Sequence, residues 1–289
     1  MRLPEFTDTD WTAILRRVRK GGCVPFLGAG ASMGFNGQPG LPTGSQLAEA
    51  LAADCDYPGR DRTDFLRVAQ YYETQNDPAL LRDFIISKLS VPGVKPGVVH
   101  STLASLPFRY FLTTNFDTLM EQAFQANPAL SKSAQAFYYE RYGTEQVLPA
   151  ATIERPVLFK LHGAIEQTMS MIVTEDDVVD FLSCILLQTP KLPDTVKTLL
   201  KDSSLLFVGY SLKDWNVRVL LRAIRGARGN RSGITSYAVQ RKPPDVNLAI
   251  EWENSAVYWL DRERVKCCDM DAVGFITELK RRFDAGEGQ

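Results

Sequence analysis

Apolar positions along this chain fall into two periods. Short, mostly apolar runs at residues 24–27, 109–113, 157–161 and 205–208 have the length and composition of buried strands. Between them the apolar residues recur at helical spacing. Asp8, Thr9 or Asp10 can cap a first helix that carries Trp11, Ile14, Leu15 and Val18 on one face. Arg16, Arg17, Arg19 and Lys20 crowd its end, where cations suit the helix dipole, and Gly21 and Gly22 stop it. Further helices are predicted from Thr43 or Ser45 through Leu47 and Leu51, and over 64–74, 78–89 and 96–105. This stretch carries no strand signal and reads as a helical insertion.

Later helices are predicted over 118–124, from the Thr174 cap into Glu175, Asp176 and Asp177, and over 193–201. Others follow over 214–224 with Trp215, Val219 and Leu220 as anchors, at 244–253 and over 271–283. Two final strands are expected at 237–239 and 257–260, while 126–155 gives no clear pattern. Apolar strands alternating with helices imply an α/β fold, a parallel sheet covered on both faces.

Composition adds little. Hydrophobic residues make up 45% and charged residues 23% of 289 residues, and the formal net charge is −1, so total charge does not indicate nucleic acid. Five cysteines, without a Cys-x-x-Cys pair, argue against a disulfide framework or structural zinc and for a reducing compartment. No metal is expected. The N-terminal residues lack the apolar core of a signal peptide and no run is long enough to span a membrane, so a cytoplasmic protein without membrane association is expected.

The chemistry is concentrated just after the strands. Residues 24–27 run into Gly28-Ala29-Gly30-Ala31-Ser32, where backbone N–H groups unobstructed by side chains can approach a pyrophosphate. The dinucleotide fingerprint Gly-x-Gly-x-x-Gly is incomplete, since Met33 stands at the third glycine, and a tight α/β turn is the plain alternative. The other strand ends carry Thr113-Thr114-Asn115-Phe116-Asp117, Lys160-Leu161-His162-Gly163, and Gly209-Tyr210-Ser211 continuing through Asp214 and Asn216. In an open parallel sheet, ligands bind outside the carboxyl ends of the strands, so all four clusters can converge on one crevice.

In this order the clusters resemble the sirtuin-type NAD-binding fold, specifically the bacterial SIR2-like group linked to antiphage defence, over about residues 21–259. Deacylases of that fold usually carry Thr-Gln-Asn-Ile-Asp at the second cluster; here the Asn and Asp are kept, as is the His after the third strand. The deacylases' zinc-binding cysteines are missing. The resemblance implies a single SIR2-like domain over 1–289, with a Rossmann-like core at about 1–44 and 106–289. A helical insertion at about 45–105 replaces the zinc-binding small domain. It further implies cleavage of NAD⁺, as substrate, to ADP-ribose and nicotinamide by the effector of a defence system. An NAD-dependent deacylase and a non-catalytic NAD⁺ or ADP-ribose sensor are the alternatives.

Because nicotinamide leaves as a neutral group, the enzyme's task is to orient the ribose and supply a nucleophile. Asn115 offers donors and an acceptor for a ribose hydroxyl or a water, and His162 can accept a proton. These two are the expected catalytic residues. Gly28, Ala29, Gly30 and Ser32 would hold pyrophosphate; Asp117 would favour the developing cation or orient the Asn115 loop; Gly209, Ser211, Asp214 and Asn216 would hold the adenosine half. Asp117 and Asp214 can equally cap their helices, Asn115 can close a turn, and Ser32 can serve both helix start and phosphate. His100, the second of two histidines, lies among apolar neighbours and reads as structural.

Arg218, Arg222 and Arg225, followed by Arg228 and Arg231, form a stripe that reads as a solvated, ion-paired face; direct nucleic-acid binding is not expected, since no aromatics interleave. A toxic NADase needs restraint. The chain length leaves no room for a sensor domain, so a homo-oligomer and a separate regulatory protein are expected. The resemblance suggests a HerA-like ATPase or an Argonaute-like partner.

Overall fold

In a computed structural model, residues 5–126, 132–211, 215–225 and 233–289 are described. Helix α1 (Asp8–Arg19) leads into β1 (Cys23–Leu27), and four helices follow: α2 (Gly44–Asp54), α3 (Phe65–Gln75), α4 (Pro78–Leu89) and α5 (Val98–Ser105). Then come β2 (Tyr110–Thr113), α6 (Leu119–Gln125), β3 (Gln135–Tyr138), β4 (Val157–Lys160), α7 (Glu175–Leu187) and α8 (Asp194–Asp202). The chain ends with β5 (Ser204–Val208), α9 (Trp215–Arg225), β6 (Ser236–Val239), α10 (Val246–Glu263), β7 (Val265–Cys268) and α11 (Ala272–Asp284).

The strands form one seven-stranded sheet in the order β3-β4-β2-β1-β5-β6-β7. Every pairing is parallel. The central strands are buried along their whole length because both faces are covered. One face packs Phe26, Phe159 and Phe207 against Phe181, Leu200, Leu220 and Trp259 from α7–α10. The other packs Leu27, Phe111 and Leu206 against Leu15, Leu103, Phe124 and Phe275 from α1, α5, α6 and α11. After β1 the chain winds toward β2, β4 and β3; β5 to β7 then build the other side. The winding reverses between β1 and β5, the position where such sheets open a crevice.

Helices α2, α3 and α4 share a separate apolar cluster, with Ala48, Leu51, Val68, Leu81 and Ile85 closed by Met171 and Val173. Helix α5 packs with the sheet instead.

Two sequence expectations are corrected, and one strand arises in a stretch that carries no pattern. Residues 257–260 are helix, not strand: Trp252, Ala256, Trp259 and Glu263 are the buried positions of α10, and this spacing overrides the β-propensity of Val257 to Leu260. The last strand comes after it, at β7. Strand β3 lies within the patternless stretch; it is a half-exposed edge strand, so it has no apolar run to signal it. In α9 the buried positions are Asn216, Val217, Leu220, Leu221 and Arg225, whereas Trp215 is exposed.

Arg222 pairs with Glu263 at 2.8 Å, Arg225 is buried against the same carboxylate, and Arg218 stacks over Tyr258. The arginine stripe is thus an internal seam between α9 and α10 rather than a solvated face; Arg228 and Arg231 lie outside the described residues. Among the described residues no helix is long and apolar enough to cross a membrane.

Candidate active site at the strand ends

The four clusters lie on adjacent strands, β5, β1, β2 and β4. Leu27 is in register with both Val208 and Thr113, and Thr113 with Lys160. The residues that follow those strands, Gly28, Gly209, Asn115 and His162, therefore sit along one continuous edge.

At the switch point the glycines are required by loop-on-loop packing. A Cβ on Gly28 would fall 2.6 Å from Gly209 O and from Tyr210 Cδ2. Gly209 itself has φ +69°, and a Cβ there would lie 2.0 Å from Ala31 N. The N–H groups of Gly28, Gly30 and Ala31 donate to Val208 O, Gly209 O and Gly28 O at 2.9–3.0 Å. This corrects the expectation that all N–H groups from Gly28 to Ser32 face a pyrophosphate, since these three are committed within the protein. Ala29 and Gly30 are partly exposed at the mouth of the turn.

Beyond Ser32 the chain makes a tight hairpin in which Phe35 bridges Gln38 across Asn36 and Gly37, both at positive φ. Leu41 N donates to Ser32 O at 2.8 Å. The hairpin and the start of α2 line a cleft of about 490 Å³ through Met33, Gly34, Gly40, Leu41, Pro42 and Gln46. Its walls adjoin the glycine turn but do not include Asn115 or His162.

Below the edge lies a buried polar network. Ser32 Oγ donates to Asp117 Oδ2 at 2.9 Å and lies 3.4 Å from both His100 Nε2 and Asn115 Nδ2. Asp117 Oδ1 accepts from Leu119 N at 2.9 Å. Asp117 therefore caps α6 and holds Ser32 at once; with both oxygens facing inward, it supports the Asn115 loop rather than touching a ligand cation. Asn115 N donates to Thr113 Oγ1, and Nδ2 to Gly28 O at 3.1 Å. With its amide protons directed inward, Oδ1 is the group Asn115 can offer to a ligand.

His100, read as structural, proves to be part of the polar network as well. Its ring, 1% exposed, joins this network from α5. The contact spans 68 residues of chain, so no local pattern in the sequence could signal it.

Lys160, fully buried at the end of β4, donates to Asp117 O at 2.7 Å and pairs with Glu121 at 2.6 Å, tying the Asn115 loop to the strand that delivers His162. Ile165 N donates to Phe116 O and joins the two loops a second time. Gly163, at φ +87°, turns the chain sharply after His162.

The His162 ring is partly exposed and packs edge-on against Phe181 at 5.5 Å. Among the described residues its nitrogens have no hydrogen-bond partner. Burial, and secondarily the positive charge of Arg141, push its pKa down to about 4, so the imidazole is neutral at physiological pH. Arg141 follows β3 and was missed for the same reason as that strand: the segment carries no periodic signal.

On the β5 side, Ser211 is exposed and Asn216 is buried in the first turn of α9; Asp214 lies outside the described residues. Among the described residues no group of three or more His, Cys, Asp or Glu side chains can hold a metal, and the cysteines are free.

Comparison with known proteins agrees with this geometry. A solved SIR2 homologue in complex with NAD superposes with a TM-score of 0.53 at 13% identity, covering 99% of this chain and 97% of that one, which supports the fold. The chain is 25% identical over 272 residues to the NAD(+) hydrolase ThsA of Bacillus cereus, covering 90% of this chain and 53% of that protein. It is 28% identical over 233 residues to the Enterococcus faecium protein of the same name, covering 78% of this chain and 44% of that one. The chain thus spans about half the length of the curated relatives it matches. The SIR2-like domain model matches residues 109–260, from the start of β2 to within α10, and the chain belongs to that family.

Proposed function

We propose that this chain binds NAD⁺ at the strand ends and hydrolyses its N-glycosidic bond to nicotinamide and ADP-ribose. The observation that carries the proposal is the pairing of Asn115 and His162 on adjacent strand ends, each with a polar atom left over for a ligand. Asn115 offers Oδ1, and His162 offers a neutral ring whose nitrogens have no hydrogen-bond partner among the described residues. The names of the ThsA relatives and the NAD-bound structural neighbour support the same substrate.

In this reading the bond between the ribose C1′ and the nicotinamide nitrogen breaks, and its electron pair leaves with nicotinamide. Asn115 Oδ1 orients the attacking water or a ribose hydroxyl. The water oxygen bonds to C1′ and its proton passes to His162. The partly exposed turn at Ala29 and Gly30, with Ser211 across the crevice, would receive the rest of the dinucleotide.

The test is incubation of the purified protein with NAD⁺, following nicotinamide and ADP-ribose. Equimolar release supports the proposal; binding of NAD⁺ without turnover favours a sensor instead. As an extension, we read the protein as a cytoplasmic effector of antiphage defence, held in check by self-association or a separate regulatory protein. Size exclusion of the chain alone and with a candidate partner tests this, and a lone, fully active monomer contradicts it.

A further inference from the structure

Beneath His162 lies a second ionic cluster that the reading above does not use. Arg141 is 5% exposed and leaves the sheet one strand over from His162, since Tyr139 N donates to Lys160 O. Its Nη1 donates to Asp177 Oδ1 at 2.5 Å and to Asp177 O at 3.2 Å, and its Nη2 to Met171 O at 3.3 Å. Asp177 Oδ2 accepts from Val173 N at 2.8 Å and Thr174 N at 3.2 Å. The segment so clamped, residues 171–174, holds the catalytic loop directly, because Ile172 N donates to His162 O at 3.0 Å. Phe181, one turn along α7 from Asp177, packs edge-on against both Tyr139 and His162.

The cluster extends into the helical insertion. Arg82 of α4 approaches Asp177 Oδ2 at 3.8 Å and pairs with Glu73 of α3 at 3.3 Å. Buried ion chains of this kind are costly to form, and the Nε atoms of Arg82 and Arg141 are buried without hydrogen-bond partners. An apolar contact would join these elements more cheaply, which points to a role for the charge itself.

We infer that Arg141 is a positioning residue for His162, acting through Asp177 and residues 171–174, and that Arg82 makes the helical insertion part of the same support. This deepens the NAD⁺-cleavage reading, since it specifies what sets the orientation and charge state of its proposed base. The charged groups of this cluster are Arg141 after β3, Asp177 on α7, and Arg82 and Glu73 on the insertion. Of these, Arg141 acts on the ring most directly, and it opposes protonation.

The experiment reads the imidazole itself. The chain has two histidines, so side-chain NMR titration of the intact protein, assigned with His162→Gln, follows His162 alone. In the wild type it should titrate near 4. Arg141→Gln should move that titration upward, toward but short of the ordinary 6.5 because burial remains, while Arg141→Lys should keep it low. In NAD⁺ turnover Arg141→Gln should lower kcat about tenfold with KM nearly unchanged, and Arg141→Lys should recover part of the loss. Arg82→Gln, which leaves the Arg141–Asp177 pair in place, should shift the titration in the same direction by less and guards against an Arg141 variant that does not fold. Folded variants whose His162 titration matches wild type would overturn the inference. Because the titration needs no substrate, that failure is distinct from an absence of NAD⁺ cleavage.

Discussion

Two polar constellations of this protein are treated differently by the fold. One is the strand edge with Ser32, Asn115, Asp117 and His162; the other is the arginine stripe of α9. In the stripe, Arg222 and Arg225 close on Glu263 and Arg218 lies over Tyr258, so the cations are packed within the fold against a carboxylate or a ring, although among the described residues Arg218 Nε and Arg225 Nη2 find no hydrogen-bond partner. At the strand edge, Ser32 contacts both Asp117 and His100 below, yet Asn115 Oδ1 and the His162 ring remain above. A site is marked by leftover polar atoms that also reach a partly exposed strand edge, as those of Asn115 and His162 do, not by the number of polar residues.

That difference predicts a double dissociation. His162→Ala and Asn115→Ala should each lower NAD⁺ cleavage by about 10²–10⁴-fold, with circular dichroism and melting close to wild type. Full activity in either variant would remove that residue from the proposed chemistry. Glu263→Gln should do the converse. It leaves the buried Arg225 without its counter-charge, so chemical denaturation should show a loss of about 3–5 kcal/mol, with turnover per folded molecule unchanged. Loss of turnover without loss of stability would place the seam in the site.

Ser32→Ala falls between the two, because Ser32 belongs to the supporting network. Removing its hydroxyl leaves Asp117 Oδ2 and His100 Nε2 unanswered in a buried place and should cost about 1–3 kcal/mol by denaturant unfolding. It should also reduce turnover, because one of the two anchors of the Asn115 amide goes with it.

The most gradual effect is the drift with pH. His162 has a folded pKa of about 4 against an ordinary 6.5, so folding favours its neutral form. Its contribution to stability is complete above pH 6.5 and is lost as pH falls from there toward 4. Burial lowers His100 as well and acts in the same direction, while Asp117 opposes it in part. Melting temperature should therefore decline across this window in the wild type and decline less in His162→Gln. An equal decline in both would assign the acid sensitivity to other groups.

The strand-end clusters were legible in the sequence because each follows a short apolar run whose length and burial are set locally. What the sequence hid depends on contacts between distant residues. His100 lies among apolar neighbours along α5, and only the fold brings Ser32 and Asp117 to it. Arg141 follows an edge strand whose residues are too exposed to carry a buried pattern. The glycines were legible as a turn but not in their full role. Gly28 and Gly30 are small because Gly209 from β5 packs into them, a contact across 180 residues of chain. Residues 257–260 misled for the opposite reason: local β-propensity was strong, and helical packing of Trp252, Ala256 and Trp259 outweighed it.

The most direct test of the central claim is an assay of the purified chain with NAD⁺ beside its His162→Ala variant, with nicotinamide and ADP-ribose quantified together. Equal amounts of both products are expected from the wild type and almost none from the folded variant. Products released at the same rate by both proteins would contradict it.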